Sequence, residues 1–207
     1  MSSGILAIVP AHAFSLADLT NGDASQGLKL ALEKGATAAI GLLVVEGGFM
    51  GNDKVRIGLP DALNKGARML KMLGMGQQLD ALTVQMNRAA EQAVPLAQKA
   101  LMQSIQSMSV QDAKGILKGG DTAVTQFFVD KTRAPLSAEF MPQVKHVLGQ
   151  LGVVEQFNAV AGKLSSMGLV PKDKALLENH VTGKTLDGLY YMIGEEEKKI
   201  RKNPAQA

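Results

Sequence analysis

Leu79, Leu82, Met86, Ala90, Ala93, Ala97, Leu101 and Ile105 recur at steps of 3, 4, 4, 3, 4, 4 and 4. That spacing keeps one face of a 3.6-residue helix apolar for about seven turns. A period-two strand cannot carry such a pattern, so the core of this chain must be built by packing helix on helix. Pro95 interrupts the run. Its ring meets the carbonyl four residues back and it lacks an N–H, so the helix is either kinked there or divided near Ala93. Because the apolar phase continues past the proline, one kinked helix is the favoured expectation.

The rest of the chain supports a helical core. Aromatic residues make up 4% with no Trp, while Met reaches 11, so Leu, Ala, Val and Met must fill the interior. An apolar share of 46% against 20% charged belongs to a globular chain. At 207 residues the length sits near the top of the roughly 100–200 usual for one domain. The expected fold is all-α: a single-domain helical bundle of about seven to eight helices, residues 14–207, with a glycine-rich loop between the first two.

In order, Ser25 is a candidate cap for a helix to about Val45, with Leu28, Leu32, Ala36, Ala39 and Leu43 on one face. Gly47 to Pro60 breaks the pattern. Val55, Ile57 and Leu59 alternate there with Arg56 and Gly58, which suits a short extended piece. Pro60 opens a helix to about Leu73. Ser109 and Asp112 form a capping-box-like start to a short helix that stops at Gly119-Gly120. Asp121 is expected to cap the next helix, which Ala134-Pro135 closes. Helices over about Leu136–Leu151 and Val153–Met167 follow, then a loop with Pro171 and a short helix at Ala175–His180. Thr182 is expected to cap a last helix to about Lys202, with Glu195–Lys199 as a solvated face of acid–base pairs.

Several classes of function are disfavoured. There are 22 basic and 19 acidic residues, for a net charge of +3, and no basic run is interleaved with aromatics, so nucleic acid is not an expected partner. The absence of Cys excludes disulfides, thiolate catalysis and Cys-based metal sites. His146 and His180 lack a second ligand at helical spacing, so no metal is expected, and no motif calls for a cofactor. The loop at Gly47–Asn52 lacks the Lys and spacing of a phosphate-binding P-loop. No apolar stretch approaches the ~20 residues of a transmembrane helix. A short apolar run before Ala11-His12-Ala13 fits the end of a secretory signal, so residues 1–13 are read as its remnant and the chain as periplasmic or otherwise exported.

Five phrases carry a resemblance: GFMGN at Gly48–Asn52, VRIGLP at Val55–Pro60, MNRAAE at Met86–Glu91, GILKGGDTA at Gly115–Ala123 and VTGKTLDGL at Val181–Leu189. Together, and in this order, they resemble the bacterial family known as domain of unknown function 4197, over about residues 15–205. The resemblance implies an exported or envelope protein with a signal peptide or lipoprotein signal, although a lipoprotein needs a Cys that this chain lacks. It also implies a short helical tail beyond Asn203-Pro204-Ala205, so the C-terminus is expected to be trimmed. It implies no activity.

Two groups of residues are candidates for a site. Asp121 and Thr122 follow two glycines at a helix start, where backbone N–H groups can meet an anion or Asp121 a cation; a glycine stop followed by an Asp cap accounts for the same residues without a ligand. Asn87, Arg88 and Glu91 lie on a helix patterned for burial, so a buried polar network is expected, with Arg56, Asp121 and Asp187 as its partners. Proximity of Arg56 and Asn87–Glu91 to the Gly119–Thr122 turn is the test. Three functions follow: a non-enzymatic binding or interaction protein of the cell envelope, taking a small amphipathic ligand in an apolar groove or an envelope protein as partner; a hydrolase using Arg56, Asn87, Arg88, Glu91 and Asp121; and a structural envelope assembly factor.

Overall fold

A computed structural model describes residues 21–168 and 175–202. The Ala11–Ala13 pattern and the Pro171 loop lie outside the described residues. Among the described residues there are eight α-helices: α1 Asn21–Val44, α2 Asp61–Met72, α3 Gly76–Ala93, α4 Ala97–Gln106, α5 Val110–Lys118, α6 Ala123–Gln150, α7 Val153–Ser166 and α8 Ala175–Lys202. No strand occurs among the described residues. The protein is all-α.

The founding pattern is buried along its whole length, from Leu79 to Ile105. The helix is divided, not kinked: a single 3-10 turn, Val94–Leu96, separates α3 from α4. The tighter turn gives Pro95 a first-turn position, where its missing N–H costs nothing. Helix α3 then packs against α6, α7 and α8, while α8 lies along α6 and α1. Buried side chains from every helix join one apolar cluster.

Packing overrides three expected boundaries. Helix α6 runs through both Pro135 and Pro142. An interior proline costs about 3 kcal/mol, whereas each buried large apolar side chain contributes about 1.5–3 kcal/mol. α6 buries Val124, Phe127, Phe128, Leu136, Phe140, Val144, Val147 and Leu148, which is ample compensation. Thr182 caps nothing, because it is buried within a continuous α8, where Thr185 Oγ1 donates to the Val181 carbonyl at 2.7 Å. Ser25 is likewise inside α1. A helical Ser costs only about 0.5 kcal/mol against Ala, too little to end a helix that is packing well.

Asp121 does not cap α6 either. The helix begins after Thr122, whose side chain makes no capping bond. The capping acceptor comes from α8: Glu197 is buried, and its Oε1 accepts the Val124 N–H at 3.3 Å. The Glu195–Lys199 run is therefore not wholly a solvated face. Glu195–Lys198 and Glu196–Lys199 pair as expected, but Glu197 turns inward to the positive end of α6. Glu197→Ala is expected to destabilise the fold by about 1–2 kcal/mol, as loss of a helix cap does, read from the urea midpoint.

At α5 the capping box is formed. Ser109 Oγ accepts from the Asp112 N–H at 3.1 Å, and Asp112 Oδ2 accepts from the Ser109 hydroxyl at 2.7 Å and its N–H at 3.0 Å. The Ser109 hydroxyl, then its N–H, hold the Asp112 carboxyl below its ordinary range, with Lys131 adding a smaller push. A carboxylate so depressed stabilises the fold above its unfolded pKa of about 4 and loses that effect as pH falls through the folded value. Asp112→Asn is thus expected to lower stability at neutral pH, with the difference from the parent shrinking as pH falls below the ordinary carboxylate range and through the depressed folded value. Ser109→Ala is expected to cost about 1 kcal/mol. Thermal melts across that pH range check both.

Candidate functional site

Residues 45–60 link α1 to α2 by a series of turns that bond within themselves, as from the Gly51 N–H to the Gly47 carbonyl at 2.7 Å, and that are also clamped from outside. Phe49 is the plug, fully buried, and its N–H donates to Glu91 Oε1 at 3.3 Å. Val55 and Ile57 point inward and Arg56 and Gly58 outward, so the alternation read from the sequence is present, but it pairs with no strand. Asn87 stands in for one. Its Oδ1 accepts the Ile57 N–H at 2.8 Å, and its Nδ2 donates to the Ile57 carbonyl at 2.8 Å and to the Thr83 carbonyl at 2.8 Å. A primary amide offers one acceptor and two donors in a plane, which matches the two backbone groups of one extended residue.

Arg88 and Glu91, one helical turn apart on α3, extend the clamp. Arg88 Nη1 reaches Glu91 Oε2 at 3.3 Å, and its Nη2 binds Glu46 at the start of the loop. The hydrogen bond to Glu46, with Glu91 adding, holds the Arg88 pKa above its ordinary value. Arg56 ties the loop to itself, Nε to the Met50 carbonyl at 2.8 Å and Nη2 to Asp53 at 2.8 Å. From α8, His180 Nε2 is 2.8 Å from the Gly58 carbonyl oxygen. Gly188 faces the plug: a Cβ added there would lie 2.7 Å from Phe49 Cε1 and 3.2 Å from Val55 Cβ.

The clamped loop and α8 enclose an open cleft of about 380 Å³. Lys54, Arg56, Gly58 and Leu59 line one wall and His180, Lys184, Asp187 and Tyr191 the other. Asp187 is anchored by Arg133 at 2.7 Å, with Lys184 at 3.9 Å. Arg133 in turn stands 5.9 Å from the ring centre of Tyr190, whose hydroxyl lies 2.9 Å from Thr132 Oγ1. Burial raises the Tyr190 pKa against the opposing effects of Thr132 and Arg133.

The candidate residues thus divide into two places. Asn87, Arg88, Glu91 and Arg56 meet at the loop, and Asp187 joins Arg56 at the cleft. Asp121 and Thr122 are elsewhere. The charge of Asp121 acts on Lys198 of α8, ten residues beyond Gly188 and so about 15 Å further along that helix. The Gly119–Thr122 turn does not lie against the clamp. An apolar crevice among α1, α6 and α8, lined by Ala36, Val124, Phe128 and Ile193, measures about 10 Å³, scarcely the space for one water. It cannot hold an amphipathic ligand.

Sequence reasoning missed Glu46, Gly188 and the role of His180. Only Gly188 left a signal: a glycine between Leu186 and Leu189, on a helix otherwise patterned for burial, marks a close approach.

Fold and site together define an all-α helical protein whose long interhelical loop is clamped by buried polar side chains. A family model described as protein of unknown function (DUF4197) matches residues 18–207, and the chain belongs to that family. No curated protein and no solved structure matches it. Four of the five phrases that carry the resemblance meet at the clamp: two form the loop, Met86–Glu91 supplies its anchors on α3, and Val181–Leu189 its packing surface on α8. No described helix is long and apolar enough to cross a membrane.

Proposed function

We propose that this chain is a non-enzymatic binding protein of the bacterial cell envelope, a single helical domain over residues 14–207 after removal of a leader at 1–13. Its ligand lies in the cleft between the clamped loop and α8. The supporting observation is how the polar side chains are used. Asn87 and Glu91 are buried with their hydrogen bonds directed to loop backbone, and His180 adds another to Gly58. Such a constellation rigidifies a recognition surface; it leaves no activated nucleophile or exposed acid–base pair for hydrolysis. With Asp121 distant, the five residues of a hydrolase site share no cleft. Leu59 and Tyr191 give the cleft apolar surface beside its charges, which suits an amphipathic small molecule.

Gly58 provides the test. A Cβ there meets open space, so Gly58→Phe fills the cleft while leaving stability within about 0.5 kcal/mol of the parent. Native mass spectrometry of protein isolated from its own envelope is expected to show a small-molecule adduct on the parent and none on G58F. An equal adduct on both, or a bare mass for the parent, overturns the proposal.

A further inference from the structure

The geometry points to an anionic group, a carboxylate or a phosphate, as the part of the ligand that the cleft recognises; this rests on the cleft being the binding site. Lys54, Arg56 and Lys184 line the cleft against two acids, Asp61 and Asp187. Both acids already sit in positive potential. Asp187 is held by Arg133, and Asp61 lies in the first turn of α2, where the helix dipole favours a carboxylate. The cations are less committed. The Lys54 ammonium has no acceptor among the described residues, since only its backbone N–H is engaged, by Asn52. Arg56 binds Met50 and Asp53 through two of its five N–H donors. Lys184 reaches Asp187 only at 3.9 Å.

The backbone adds an independent observation. Asn87 takes up the Ile57 N–H, but the N–H groups of Gly58 and Leu59, both in the cleft wall, have no protein acceptor among the described residues. In extended backbone successive N–H groups face opposite sides, so the Gly58 N–H, on the side away from the Ile57 N–H that Asn87 holds, is the one set beside the cations: it can fix an oxyanion's position while the cations supply charge. A cationic ligand would find Asp187 already paired with Arg133 and Asp61 favoured by the start of α2, and a neutral one would leave the positive excess unanswered. The partly exposed Tyr191 ring offers a face to the ligand's apolar part. A cleft of about 380 Å³ admits a small organic anion or a lipid headgroup.

The test is amide NMR titration of the full chain with inorganic phosphate, with citrate and with phosphatidylglycerol–phosphatidylcholine vesicles in separate arms. Saturable shifts centred on the Gly58 amide are expected. Lys54→Gln with Lys184→Gln is expected to weaken binding at least about tenfold, the loss of one charge-assisted hydrogen bond, whereas Lys163→Gln on α7 leaves it unchanged. Binding confined to the vesicle arm assigns the anion to a lipid headgroup, and binding in the phosphate or citrate arm to a soluble ligand. Shifts that never saturate, or that survive the double substitution, overturn the inference. Should the native adduct still be lost in G58F, the cleft stands as the site of an uncharged ligand; should it persist, the cleft reading itself falls.

Discussion

Asn87→Leu is expected to lower the stability of this protein by about 3 kcal/mol or more. The side chain is fully buried and holds both backbone groups of Ile57, itself fully buried, at 2.8 Å each. A buried donor or acceptor left without a partner costs about 1–3 kcal/mol, and here a donor and an acceptor lose theirs together. Leucine is the informative replacement, because it fills most of the space and keeps water from taking the amide's place. For a chain of this size about 2–4 °C of melting temperature accompanies each kcal/mol, so a fall of roughly 6–12 °C is expected. Hydrogen exchange at the Ile57 amide should accelerate most, since that group depends wholly on Asn87. A melting temperature within about 1 °C of the parent would falsify the assigned role.

The same residue shows what the sequence could and could not reveal. A buried polar network among Asn87, Arg88 and Glu91 was the natural expectation on a helix patterned for burial, and Asn87 and Glu91 are buried. The partner of Asn87 did not follow. Ile57 lies 30 residues away, and no local pattern records that a side-chain amide will replace a neighbouring strand. Helix identity was legible because amphipathic periodicity is local. Helix ends were legible only where local chemistry decides them, as at the Ser109–Asp112 box. Where tertiary packing outweighed local signals, as at Ser25, Pro135 and Thr182, expected boundaries dissolved into longer helices. Glu197 is the extreme case: a residue inside a charge run became the buried cap of a helix 73 positions earlier. The cleft was illegible for the same reason, because its two walls are Lys54–Leu59 and a helix more than a hundred residues further on.

Phe49→Ala is expected to have an effect at least as large, about 3–5 kcal/mol, because it removes the plug that ties the loop to α8. The instructive comparison is with Gly188. A methyl group added there falls 2.7 Å from Phe49 Cε1, inside contact distance, and 3.2 Å from Val55 Cβ. The ring has no room to retreat, being fully buried, so Gly188→Ala is expected to cost about 1–3 kcal/mol as an overpacked site. Phe49→Leu shortens the plug and frees the space that the new methyl needs. The double substitution should therefore be more stable than the sum of its parts by at least about 0.5 kcal/mol, the scale of coupling between residues in contact. Denaturant midpoints for the four proteins of the cycle measure that coupling directly. Strict additivity would mean that Gly188 does not exist to receive the ring. Coupling would join the two phrases Gly48–Asn52 and Val181–Leu189 into one physical unit, and G188A, by displacing Val55 beside Lys54 and Arg56, should then also weaken phosphate binding at the cleft.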